Sequence, residues 1–321
     1  MHTIGVLTSG GDSPGMNACV VAIARAAEMK GIGARGIIGG FRGLVEGNSI
    51  PIAGEIAGLG RRGGTFLGTS RGSDELKDRL RTMGPDALKC CGIDALVVLG
   101  GEGSLAGAAL LASVGAPVVG VPCTIDNDVF GTDATIGFDT AVNKAVMLAN
   151  DIVDTAEALP GRLFVLETCG GTTGHIAIAT AYAVGADAVC VPEVPFSVEA
   201  ASAHIKNRMD EGATHGLVVL CEMQGTWDIS ERMSQLTGRR TRVTALGHSQ
   251  RGGNPSFRDR LLARELGRAA VERLLDGENG IMVGLSGVTI SKVPLALVAA
   301  HTKPIDLTQY KAVNVWEMSL A

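Results

Sequence analysis

The segment Thr124-Ile125-Asp126-Asn127-Asp128 sets two carboxylates two residues apart, directly after the apolar run Pro117–Val121. Acids this close repel each other unless a cation sits between them. At the end of a strand the pattern suits phosphoryl transfer: one aspartate accepts the proton of an acceptor hydroxyl while others hold a metal or orient the site. An Asx turn with solvated acids has the same composition and stays open on these residues alone. Gly100-Gly101-Glu102-Gly103-Ser104 follows the apolar run Ala95–Leu99, and Thr8–Asp12 follows Ile4–Thr8. Glycines in such turns let a phosphate approach the backbone N–H groups, and the helix that follows favours negative charge. Neither turn is a GxxxxGK[ST] or a GxGxxG loop, so an ordinary strand-to-helix turn also fits the GGEGS stretch. Glu102 tips the balance toward a metal, because a carboxylate beside a phosphate cradle needs a cation to bridge the like charges. Finally, Leu246–Gly253 reads LGHSQRGG, with Arg242 shortly before. His and Arg donors in a glycine-bounded loop can grip a dianionic phosphate. A solvated basic loop reads the same way.

These residues need elements to position them, and the chain supplies a repeating pattern of apolar run, glycine turn and amphipathic run. Strands are expected at Ile4–Thr8, Ala95–Leu99, Pro117–Val121, Leu163–Leu166, Ala188–Val191, Gly216–Leu220 and Gly284–Ser286. Helices are expected at Met16–Met29, from GGEGS to about Ser113, and at Thr140–Ala158, Val198–Glu211 and Asp259–Leu275. Near-continuous apolar strands alternating with helices indicate parallel sheets covered on both faces. In open sheets of that kind ligands bind beyond the carboxyl ends of the strands, which is where the three turns fall. The turn-rich motifs stop near Phe138 and a long helix starts, which marks a domain boundary.

The chain has 321 residues with 28 Lys and Arg against 33 Asp and Glu, a net charge of −5. That length suggests two domains or one large one, and that charge argues against nucleic acid as the main partner. No stretch of about 18 residues is free of charged and turn residues, so no membrane span is expected. MHTIGVLTSGG lacks the basic and apolar regions of a signal peptide. The 7 cysteines are odd in number and form no CxxC, which points to free thiols in a reducing cytoplasm. The 6 histidines show no metal-ligand spacing.

Taken together the motifs resemble the phosphofructokinase family, the bacterial-type enzymes that phosphorylate fructose 6-phosphate at O1. The matching stretches run in order: GVLTSGGDSPGMNA (Gly5–Ala18), RGGTFLGTSR (Arg62–Arg71), GGEGS, TIDND, GTDATIGFDTA (Gly131–Ala141), VPE (Val191–Glu193) and LGHSQRGG. The resemblance implies two Rossmann-like three-layer α/β/α domains with largely parallel sheets and the active site in the cleft between them. It places 1–137 with about 250–298 in the larger, nucleotide-binding domain, and 138–249 with about 299–321 in the smaller, sugar-phosphate domain. Carried over by position, Gly11, Arg71, Gly72, Gly101, Gly103 and Ser104 line the nucleotide site, and Glu102 serves Mg2+. Thr124 and Asp126 meet the sugar with Asp126 as general base, and Asp128 completes the catalytic acids. Cys169, Gly170, Gly171 and Glu222 lie along the sugar. His248 and Arg251 hold its 6-phosphate from within the subunit. Arg162 and Arg242 reach the same phosphate of a neighbouring subunit, which makes the enzyme a homo-oligomer, a dimer or a tetramer. The co-substrate is ATP, and the setting is glycolysis in the cytoplasm.

Three departures stand out against the family pattern. Glu102 replaces the usual Asp, and Phe41 stands where a nucleotide-stacking Tyr is common. The usual Met-Gly-Arg beside the sugar is Cys169-Gly170-Gly171, which removes a cation near the transferred phosphoryl group. Pyrophosphate-using relatives carry Asp at the position of Gly103 and Lys at that of Cys123, and this chain has neither. Besides the ATP-dependent kinase, the residues leave room for a pyrophosphate-dependent enzyme, a kinase for another sugar phosphate, or a non-catalytic sugar-phosphate-binding subunit.

Overall fold

The computed structural model describes residues 1–70, 72–222 and 224–319, with the backbone alone at 54, 55, 318 and 319. The chain forms two compact units, Met1–Thr140 with Arg251–Lys303, and Ala141–Gln250 with Pro304–Ala321. In chain order the strands are β1 (Thr3–Thr8), β2 (Gly33–Ile37), β3 (Ser49–Pro51), β4 (Ala95–Gly100), β5 (Val118–Pro122), β6 (Arg162–Thr168), β7 (Ala188–Cys190), β8 (His215–Cys221), β9 (Arg240–Ala245), β10 (Ile281–Ser286) and β11 (Thr289–Pro294). The α-helices are α1 (Met16–Met29), α2 (Gly40–Glu46), α3 (Asp74–Met83), α4 (Pro85–Cys90), α5 (Glu102–Ser113), α6 (Phe138–Ala158), α7 (His175–Val184), α8 (Val198–Asp210), α9 (Thr226–Thr237), α10 (Phe257–Leu275), α11 (Leu295–Ala300) and α12 (Leu307–Val313).

The first unit holds a sheet in the order β11-β10-β5-β4-β1-β2-β3. Its central pairs are parallel; only β10–β11 and β2–β3 are antiparallel. The apolar strands are buried on both faces because alternate residues serve different cores. Ile4, Val6, Val97, Leu99, Val119 and Val121 pack with α1 and α10. Leu7, Leu96, Val98 and Val118 pack on the other side with α2 to α5 and α11. A side-chain period of two within an unbroken apolar run is the signature of such a sheet. Asp259, buried at the start of α10, receives the N–H groups of Gly137 and Thr140, each at 2.8 Å, and the Thr140 hydroxyl. It thereby holds the turn that leads into α6.

The second unit has the parallel order β7-β8-β6-β9. Phe164, Leu166, Leu217 and Val219 face one core, and Leu163, Val165, Val218 and Leu220 face the other. Strand β9, which the apolar-run reading omits, is an edge strand with no fully buried residue. It is held by its parallel pairing to β6.

Candidate active site

In the first unit β5, β4 and β1 are adjacent, so the loops at their carboxyl ends meet. They line a cavity of about 690 Å³. Of the residues assigned to the nucleotide and to catalysis, Gly11, Gly72, Gly101, Glu102, Gly103, Ser104, Thr124, Asp126 and Asp128 all border it. Arg71 lies outside the described residues. Helix α5 starts directly at Glu102, and its N-cap, Gly101, supplies no side-chain cap. The Glu102 and Gly103 N–H groups at the start of that turn have no intrahelical partner, a position that favours an anion. A methyl group at Gly103 would meet nothing within 4 Å, so the space above this turn is open. Phe41 forms part of the wall and packs against Gly107.

The TIDND loop is braced from several sides. The Thr124 hydroxyl donates to Asp126 Oδ2 at 3.2 Å, and the Asp126 N–H returns to Thr124 Oγ1. Asn127 has φ 56, the one positive φ outside glycine among the described residues. Its side-chain oxygen accepts the Thr135 N–H at 3.1 Å, and the Thr135 hydroxyl donates to the Thr124 carbonyl at 2.7 Å. Strain of this kind persists only where the surroundings hold it, and it concentrates at functional sites. Val129 pairs with Thr302, the Lys303 N–H donates to the Asp128 carbonyl, and Lys303 Nζ donates to the Asp133 carbonyl. Burial raises the Asp128 carboxyl to about 6; the charges of Asp126 and Glu102 push it the same way, and Lys303 opposes them. Burial likewise lowers the Lys303 ammonium to about 8.

Two basic residues of this cavity escape the sequence reading. Lys77 and Arg81 border it from α3. Ser73 caps that helix by accepting the Leu76 N–H, and Leu76 and Leu80 anchor it in the core. The signal was present as a Ser-Asp-Glu start with apolar residues four apart, a pattern for a helix with one buried face.

In the second unit the loops after β6 and β8 are neighbours. Glu222 Oε1 accepts the N–H groups of Gly170 at 3.1 Å and Gly171 at 2.8 Å. Gly171 sits at φ 60 with open space where a side chain would start. Cys169 is buried; its N–H donates to Gln250 and its thiol to the Gly247 carbonyl. Its side chain therefore points into the fold. His248 follows β9 and is exposed at this same carboxyl end. Arg162 and Arg242 are not there. Arg162 opens β6 in register with Arg240, and Arg242 pairs with Phe164, so all three arginines share one face near the amino ends of the strands. From Arg162 to Thr168 the strand covers about 20 Å at roughly 3.3 Å per residue. One copy of the chain does not bring Arg162 and Arg242 to Glu222 and His248.

The arrangement is an acid-lined, glycine-rich cavity in one unit and a loop pair holding Glu222 with His248 nearby in the other. The Phosphofructokinase family model matches residues 3–274. This chain belongs to the phosphofructokinase family. It is 41% identical over 313 residues to the ATP-dependent 6-phosphofructokinase of Halalkalibacterium halodurans, covering 97% of this chain and 98% of that one. It is 44% identical over 287 residues to the same-named protein of Ligilactobacillus salivarius, 89% of each chain. Among solved structures, phosphofructokinase from Saccharomyces cerevisiae superposes with a TM-score of 0.85 at 29% identity. That match covers 99% of this chain but 47% of the yeast chain, so this chain spans about half its length. The pyrophosphate-dependent enzyme of Marinobacter aquaeolei gives the same TM-score at 20% identity over 96% of this chain and 86% of that one, a likeness of fold.

Among the described residues no group of three or more His, Cys, Asp or Glu is arranged to enclose a metal ion. Glu102 at the mouth of the cradle can supply one carboxylate to Mg2+, an ion that commonly takes one or two carboxylates plus substrate phosphates. The raised Asp128 carboxyl has a stability consequence. The unfolded group ionises near 3.8 and the folded one near 6. Across that window the unfolded chain releases its proton first, so stability falls as pH rises and the deficit persists above it. Asp128→Asn should therefore raise stability at pH 7.5 by on the order of 2 kcal/mol and flatten the loss between pH 4 and 6. Urea denaturation of the ligand-free protein at pH 4, 5 and 7.5 checks this; a variant less stable at pH 7.5 contradicts it.

Proposed function

We propose that this chain transfers the γ-phosphoryl group of ATP to O1 of fructose 6-phosphate, giving fructose 1,6-bisphosphate. The observation that carries the reading is the gathering of Gly11, Glu102, Gly103, Thr124, Asp126 and Asp128 around one cavity at the strand ends. Asp126, braced by Thr124, accepts the O1 proton. The first-turn N–H groups of α5 hold donor phosphates, and Glu102 holds Mg2+. When bound, Mg2+ neutralises charge on the donor phosphates. Glu222 receives sugar hydroxyls on the oxygen that the Gly170 and Gly171 amides leave available, and His248 meets the 6-phosphate.

ATP is favoured over pyrophosphate by two features. The space above Gly103 is open, which suits a nucleotide α-phosphate. Cys123 is fully buried and offers the cavity no cation. The relatives at 41–44% identity are named ATP-dependent. The native protein should therefore convert fructose 6-phosphate with ATP and Mg2+, with the bisphosphate identified by phosphorus NMR. Comparable turnover with pyrophosphate as sole donor would overturn the donor assignment. Conversion of another ketose phosphate alone would overturn the acceptor.

The opposite-end placement of Arg162 and Arg242 supports a homo-oligomer in which these arginines complete a neighbour's phosphate clamp. Seven free thiols suit a reducing cytoplasm. Asp126→Asn should lower kcat by roughly 10²–10⁴-fold with the fructose 6-phosphate KM held. Arg242→Ala should raise that KM. Reassembled mixtures of the two variants should regain activity that neither has alone, because one class of mixed site holds both native residues. Absence of any regain would contradict the shared clamp.

A further inference from the structure

A general base works only from within hydrogen-bond reach of the proton it takes, and a misplacement of about 1 Å can cost on the order of 10²-fold in rate. Asp126 must hold such a position beside the like charge of Asp128. A direct tie to it is Thr124, whose hydroxyl donates to Oδ2 and receives the Asp126 N–H, each at 3.2 Å. That tie places the carboxyl only as well as Thr124 is itself placed.

Thr135 pins the loop on both sides of this aspartate. Its hydroxyl donates to the Thr124 carbonyl at 2.7 Å, and its N–H donates to Asn127 Oδ1 at 3.1 Å. Both bonds are buried, and Thr135 itself is 1% exposed. The second bond holds Asn127 at φ 56, a conformation that a residue other than glycine keeps only where its surroundings impose it. Thr135 in turn sits in a fixed frame. The Ile136 N–H donates to the Pro122 carbonyl at the end of β5, at 3.1 Å, and the Ile136 carbonyl accepts the Ser13 hydroxyl at 2.7 Å. On the other side the Ala134 carbonyl accepts the Thr132 hydroxyl, which itself accepts the Leu285 N–H of β10, each at 2.9 Å.

We infer that Thr135 is a positioning residue for the phosphoryl transfer: it is the fixed point that holds the residues on either side of Asp126 and so aims the base at the acceptor hydroxyl. This rests on the kinase reading above and deepens it. The O1 proton passes to Asp126; Thr135, buried at its back, touches no reacting atom and exchanges no proton. Its contribution belongs to the transition state, so it enters kcat and leaves the hold on either substrate alone. A threonine that served the fold alone would change stability and leave the kcat of the folded enzyme as it is.

Steady-state kinetics with ATP, Mg2+ and fructose 6-phosphate test this on the native enzyme, Thr135→Val, Thr135→Ser, Asp126→Asn, and Thr135→Val combined with Asp126→Asn. Valine has the shape of threonine and lacks the hydroxyl. Thr135→Val should lower kcat about 10–10²-fold, with both KM values within about threefold of native. Thr135→Ser, which keeps the hydroxyl, should recover most of that loss. In the Asp126→Asn background Thr135→Val should cost less than about threefold more, because no base remains to be aimed. A native kcat in Thr135→Val, or a loss carried by KM alone, would overturn the inference. So would a Thr135→Ser kcat as low as that of Thr135→Val, or an undiminished loss in the Asp126→Asn background. Should Thr135→Val fail to fold, Asn127→Gly carries the test: it tolerates the positive φ and removes the acceptor of the Thr135 N–H. It should lower kcat with both KM values kept, and a native kcat there would overturn the inference. A native enzyme inactive on fructose 6-phosphate would instead strike the kinase reading itself.

Discussion

Mutual repulsion among Glu102, Asp126 and Asp128 is the constraint on which the first unit turns. Adjacent parallel strands deliver these acids to one cavity, and burial there raises the Asp128 carboxyl. A fold optimised for stability alone would not gather them. The surrounding structure holds the cluster in place: Asn127 at positive φ, Thr135 bonded to both Thr124 and Asn127, and the 302–303 segment strapped to Val129 and Asp128. Lys303 offsets part of the charge from behind. The remaining negative charge is one that a bound cation would offset.

The second unit solves a different problem. Its carboxylate, Glu222, is held by two backbone amides that only a Gly-Gly turn with one residue at φ 60 presents so openly. That fixes the position of the carboxylate at the carboxyl end of the sheet. Arg162, Arg240 and Arg242 share one face near the other end of the same sheet. The strand length sets these arginines apart from the loop that holds Glu222.

The central strands were legible because their apolar runs are unbroken: β1, β4, β5, β6 and β8 fall within two residues of the expected bounds. Strand β2 was not, since Gly33, Arg35 and Gly36 interrupt it, and it stands because β1 and β3 pair with both its edges. Strand β9 was hidden by its alternating polar sequence. Helices α3 and α9 were hidden by composition, their stability resting on a narrow buried stripe such as Leu76 and Leu80. The acids and glycines of the cradle were legible as motifs, because phosphate chemistry demands those types at those spacings. Sequence does not show which end of a strand a residue occupies relative to its partners in register. That is why the separation of Arg162 and Arg242 from His248, and the resting place of the Arg251 side chain beside Gly11, emerge only from the structure.

Thermal melting with ATP, in the presence and absence of Mg2+, tests most directly whether the acid cluster is a built cation-and-nucleotide site. A ligand that binds the folded state raises the melting temperature by an amount that grows with the logarithm of its concentration over Kd. At neutral pH, ATP with Mg2+ should raise it by several degrees, about 1–3 kcal/mol at concentrations well above Kd. ATP with a chelator should raise it far less, because its phosphates then meet Glu102, Asp126 and Asp128 without a bridging charge. Equal stabilisation with and without the metal would contradict the account.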